Sequence, residues 1–180
     1  MHVFDTNGVE PALTRAGVLA AAVTNRTARL RAEAQKVVLA AEWADLHAAD
    51  ALPTARDGWE VRRRELADLM PVRFGGDGTP QVVAVAPAEL AVVTHSTFVA
   101  TRSLIADALD LRHRLPRIWT LLTADDTDGI ATGQVGVEAW QARKIAAATR
   151  ALTLGQALAV DAQLAGCLGR LAWGLTLIHI

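Results

Sequence analysis

Residues 88–119, AELAVVTHSTFVATRSLIADALDLRHRLPRIW, decide the fold class of this chain. The stretch predicts a short helix, a three-residue turn at Thr94-His95-Ser96, a longer helix over Thr97–Arg114 and a break at Pro116. Pro87 suits the first helical turn, because its missing N–H would have no partner there. Ser96 is the expected N-cap of the longer helix. On that helix Phe98, Thr101, Leu104, Ile105, Ala108 and Leu111 share an apolar arc. Arg102, Asp107, Asp110 and Arg114 are expected to face outward, with Asp110 and Arg114 spaced for an i,i+4 ion pair.

The rest of the chain agrees with an all-α class. Apolar residues make up 52% of the 180 positions, carried mainly by Ala, Leu and Val, with 4% aromatics and no tyrosine. Alanine favours helix because it has no side-chain entropy to lose. The expected architecture is a helical bundle with a long N-terminal helix and a helix-turn-helix-like segment. Residues 1–13 read as an irregular arm, marked by Asn7-Gly8 and Pro11. From an N-cap at Thr14 a helix is expected to about Ala49, with Val23, Leu30 and Val37 at heptad spacing and Ala34, Val38, Ala41 and Leu46 completing the stripe. That stripe fits either an intramolecular core or a seam with a second helix. Pro53 and the ARDG at 55–58 close this element, and 59–70 predict a shorter helix bearing Arg62-Arg63-Arg64.

The connector 71–87, PVRFGGDGTPQVVAVAP, changes character. Its Gly75-Gly76-Asp77-Gly78 reads as a flexible turn-forming loop, since no Lys and Ser/Thr follow into a helix as a phosphate cradle needs. Gln81–Ala86 suggest a short extended piece. After Pro116, Ile118–Leu122 add one or two turns, with Trp119 expected inside. Residues 123–137 form an acidic loop in which Asp125, Asp126 and Asp128 lack the remaining ligand positions of a calcium loop. A helix over Glu138–Ala151 is expected to turn Trp140, Ile145 and Ala148 inward and Arg143, Lys144 and Arg150 outward. Thr153 then caps a last helix to about Trp173, with Ala157, Val160, Leu164, Leu168 and Leu171 in register. Residues 175–180 end the chain as an apolar tail.

Chemistry is sparse. The lone Cys167 excludes an internal disulfide and reads as a small apolar residue. The five histidines offer no metal-ligand spacing on one helix. Glu42 with Asp45, and Asp107 with Asp110, read as surface charge rather than acid/base couples. No nucleophile elbow or dinucleotide fingerprint occurs, so the expectation is no catalytic residue, no metal, no cofactor and no small-molecule substrate. Without a secretion signal or an 18-residue apolar run, the chain is expected to be cytoplasmic and off the membrane.

The net charge of −1 gives no global attraction to polyanions, so a nucleic-acid surface has to be local. In a helix-turn-helix, Thr97 and Arg102 would approach base edges. Arg112-His113-Arg114-Leu115-Pro116-Arg117 is the densest basic cluster, although basic side chains at a helix C-terminus also suit the macrodipole. Across 88–150 seven Lys/Arg meet seven Asp/Glu, which excludes a broad basic face. The residues expected to contact nucleic acid are Arg102, Arg112, Arg114, Arg117, Arg143 and Lys144.

Several stretches together resemble one family. They are AEWADLHA (41–48), GGDGTPQV (75–82), PAEL (87–90), IADALDLRHRLPRIW (105–119), AWQARKIAAATRALT (139–153) and VDAQLA (160–165). Over about residues 15–173 the chain is similar to domain-of-unknown-function family 222, the 13E12 repeat family. Its members form the N-terminal helical part of actinobacterial HNH endonuclease proteins. The resemblance implies a helical domain over 14–174 and DNA as a partner. It carries over no catalytic residue, because nothing in this chain corresponds to the HNH nuclease motif. The segment TADDTDGIAT (123–132) is longer than the family's usual connector, and the tail departs as well. An oligomerisation module, a partner of an HNH domain and a truncated, inactive remnant are the alternatives that the resemblance leaves open.

Overall fold

The computed structural model describes residues 14–48, 70–124 and 137–168. The arm over 1–13, the predicted helix over 59–70 except Met70, most of the acidic loop, Leu171, Trp173 and the tail lie outside these described residues. Six helices and one two-stranded ladder form the described part: α1 (Arg15–Leu46), β1 (Pro71–Val72), β2 (Val82–Val83), α2 (Ala86–Val93), α3 (Phe98–Arg114), α4 (Pro116–Thr123), α5 (Ala139–Thr149) and α6 (Leu154–Leu164). The protein is an all-α helical bundle, as its alanine-rich periodicity predicts.

The axis of the bundle is α3, against which α1, α2, α4, α5 and α6 all pack. Every residue from Leu104 to Leu111 is buried. A helix apolar on nearly every side belongs in the interior, and Leu104, Ile105, Ala106, Ala108, Leu109 and Leu111 supply that surface here. Its N-cap is Thr97, whose hydroxyl accepts from the Ala100 N–H at 3.1 Å, one residue later than Ser96. The turn is longer because His95 takes a left-handed φ of 49°, the position that glycine usually fills, and Ser96 N–H donates back to Ala91 O at 2.9 Å. The helix-turn-helix layout is therefore present, formed by α2 and α3.

Thr14 caps α1 as expected, accepting from Gly17 N–H at 3.0 Å. The helix stops at Leu46, where His47 leaves helical geometry. His47 O then accepts from Val83 N–H at 3.0 Å and Ala48 bridges Val82, fastening the end of α1 to the ladder. In that ladder Pro71 pairs with Val83 and Val72 with Val82, antiparallel. Trp43 adds a cross-tie, its indole N–H donating to Ala86 O at 2.7 Å.

Only Val37, Ala40, Ala41 and Ala44 of α1 are buried. At ~1.5 Å per residue the helix is about 48 Å long, and its first half projects beyond the body of the bundle. Val23, expected in the core stripe, is 55% exposed for that reason, and Leu46 is 74% exposed where the helix has turned outward. Phe98, at the open end of α3, and Trp140, in the first turn of α5, also stay substantially exposed. Ala148 is exposed and Trp119 half-buried. In each case the periodicity is helical but burial is incomplete, although Trp119 still packs against the core.

Candidate nucleic-acid interface

Of the four charges expected to face outward on α3, Arg102 does, while Asp107, Asp110 and Arg114 are buried. Asp107 is 5% exposed, while Asp110 and Arg114 are fully buried. This corrects the outward placement, and the reason lies in the helix itself. Both aspartates sit between apolar neighbours in the stretch Leu104–Leu111, all of it buried, so their charges must pair there.

Arg114 and Asp110 form the expected ion pair at 3.0 Å. The Asp110 carboxylate also accepts Gly76 N–H at 2.7 Å and Arg150 Nε at 2.7 Å. Arg114 donates to Thr149 O at 3.0 Å and Leu152 O at 2.6 Å, capping the C-terminal end of α5 with a cation where orphan carbonyls collect. Asp107 takes Arg143 Nε at 2.8 Å and Arg150 at 2.7 Å. Burial pulls the Arg150 guanidinium down, but its hydrogen bonds and charge interactions with Asp110 and Asp107 outweigh this and hold it above its ordinary pKa. Two carboxylates and three guanidiniums thus pair with one another, while the buried Arg114 Nε has no hydrogen-bond partner.

The glycine loop 75–78 belongs to the same construction. A side chain at Gly76 would overlap the Arg114 guanidinium, and one at Gly75 would crowd Asp110 and Thr79. Thr79, itself buried, donates its hydroxyl to Gly76 O at 2.8 Å, and Asp77 accepts Leu154 N–H at 3.1 Å at the start of α6. A loop read as a flexible connector is a fitted part of the core. One signal was visible beforehand: two aspartates and two arginines inside the largely apolar stretch LIADALDLRHR (104–114).

The six residues expected to contact nucleic acid therefore divide. Arg114 is excluded by burial. Arg143 is committed to Asp107, and Arg112 pairs with Asp45 of α1 at 2.6 Å on the surface. Arg102 lies exposed over the Phe74 ring, 5.8 Å from its centroid. Arg117 and Lys144 are exposed and make no ion pair among the described residues. Arg117 is held by its backbone, since its N–H and that of Ile118 both donate at 3.0 Å to the buried Asp161 carboxylate of α6. Thr97 is engaged as an N-cap, and the exposed positions of α3 are Phe98–Ala100, Arg102, Ser103, Arg112 and His113. Beside Arg112, His113 has its pKa lowered by burial and by the Arg112 charge, against a smaller opposing pull from Asp45.

A further basic surface is the projecting half of α1, where Arg26, Arg29 and Arg31 fall off the apolar stripe as their spacing predicts. Residues 14–32 hold Arg15, Arg26, Arg29 and Arg31 and no carboxylate. Arg26 and Arg29 make loose 3.7 Å contacts with Glu138, and Arg29 also pairs with Glu33 at 2.9 Å. Among the described residues no three His, Cys, Asp or Glu side chains converge to hold a metal, and no helix is long and apolar enough to cross a membrane. Comparison with protein-family models, curated proteins and solved structures returns no match.

Proposed function

We propose that this chain is a non-catalytic helical domain that assists DNA association, the role implied by its resemblance to the N-terminal part of HNH endonuclease proteins. The observation that carries this reading is the charge of the projecting α1 segment, four exposed arginines without a carboxylate over 14–32. Exposed arginines along one helix can meet a phosphate backbone without rearranging the core. Arg117, Lys144 and Arg102 add dispersed positive charge.

Fluorescence anisotropy with a labelled duplex at several salt concentrations tests this. Binding should weaken as salt rises, because each neutralised phosphate releases counterions. The double substitution Arg15→Glu/Arg31→Glu should lower affinity and reduce the magnitude of the log–log salt slope by about 1.8, roughly 0.9 per lost contact. Absence of duplex binding at low salt would refute the proposal.

The same segment favours a second reading as a helix-pairing module. Val18, Leu19 and Val23 are 50%, 60% and 55% exposed on α1. Light scattering decides: a dimer that Leu19→Glu dissociates supports pairing, and a monomer at high concentration excludes self-pairing.

A further inference from the structure

At the base of the projecting segment, α1, α3 and α5 leave a half-open cleft of about 230 Å³. Val37, Leu104 and Ala139 give it apolar wall, and Trp140 stands at its edge with 41% of its surface exposed. The Trp140 indole N–H donates to Glu138 at 2.8 Å, which orients the ring. Arg29, Lys36 and Arg143 line the cleft against a single carboxylate, Glu33. Arg29 and Arg143 already have acidic partners, whereas Lys36 is exposed and makes no ion pair among the described residues.

The volume is below the range typical of drug-sized ligand pockets, so the cleft suits one flat ring rather than an extended molecule. An aromatic face beside an apolar wall favours stacking, and the adjacent ammonium favours an anion. A nucleotide has both parts. We propose that this cleft takes a single unpaired nucleotide, its base against Trp140 and its phosphate at Lys36. The source is either a free mononucleotide or an unpaired base of a DNA strand. For the strand, the inference rests on the DNA-association reading, because the neighbouring phosphates would then run along Arg26, Arg29 and Arg31 of the same helix.

The experiment uses the full chain with three probes: thymidine 5′-monophosphate by calorimetry, and a labelled oligothymidylate and a mixed-sequence blunt duplex by anisotropy. Trp140→Ala should weaken oligothymidylate binding about tenfold, within the range of one base–aromatic stack. Lys36→Glu, at an exposed position, should weaken it too and reduce the magnitude of the single-strand salt slope by about 0.7. The charge-matched control Arg73→Glu, on the exposed connector, should change it less, and circular dichroism verifies that each variant is folded.

Monophosphate binding that both variants reduce assigns the cleft to free nucleotides, even if neither polymer binds. Duplex binding that responds to Arg15→Glu/Arg31→Glu, with Trp140→Ala and Lys36→Glu indistinguishable from the parent on all three probes, overturns the cleft and leaves DNA association standing. No binding of any probe overturns both.

Discussion

Asp110 and Arg114 lie one helical turn apart on α3, joined at 3.0 Å with neither side chain exposed to solvent. The pair is the hinge between three parts of the chain. Asp110 holds the glycine loop through Gly76, while Arg114 closes the carbonyls at the end of α5. A surface i,i+4 pair of the same spacing contributes only ~0.3–0.5 kcal/mol, whereas removing one member of a buried pair leaves an uncompensated charge in the core.

Arg114→Ala should therefore destabilise the fold by about 3–5 kcal/mol, the usual cost of breaking a buried pair. Arg112→Ala, two residues away, removes only the surface contact with Asp45 and should cost under ~1 kcal/mol. Urea unfolding of the two variants separates structural from superficial arginines within a single basic cluster. Similar midpoints would contradict the burial of Arg114.

Gly76→Ala places a methyl group where the Arg114 guanidinium sits. Overpacking of this kind costs about 1–3 kcal/mol. Because the guanidinium must move, the effect should shrink when Arg114 is already absent. A double-mutant cycle of Gly76→Ala with Arg114→Ala measures that coupling, and strict additivity would count against the contact.

Asp161 satisfies two backbone donors at the start of α4 from a different helix. Asp161→Ala leaves both N–H groups without that acceptor and should cost about 2 kcal/mol, at the upper end for loss of an N-cap. Asp161→Asn retains one acceptor oxygen and should recover part of it. Amide hydrogen exchange at Arg117 and Ile118 reports the change locally, and unchanged protection in Asp161→Ala would exclude the cap.

The imidazole of His113 has its pKa below the ordinary value near 6.5. The unfolded chain therefore takes up this proton first as pH falls. The contribution of His113 is full above pH ~6.5 and is lost as pH drops through its lower folded pKa. It is small, because the side chain is solvent-exposed and screened. His113→Gln should flatten the stability loss between pH 7 and 5 slightly, read from denaturant midpoints at each pH. A steeper loss would reverse the sign.

Helical periodicity, proline positions and capping residues were local facts, and they sufficed for the all-α class, for Thr14 and Thr153 as N-caps and for the helix-turn-helix layout. The Asp110–Arg114 spacing also predicted their pairing. What the sequence by itself could not determine was the direction in which these charges point. Direction depends on how many neighbours surround a helix, and among the described residues five other helices pack against α3. The same reason separates Val23 from Val37: they are equivalent in the heptad, yet only Val37 has a core opposite it. Tertiary packing thus removed Arg114 from the nucleic-acid surface, made Gly75-Gly76 a fitted part of the core and left the arginines of α1 standing in solvent. Sequence determines which faces a helix owns, and the packed structure decides which of them meet water.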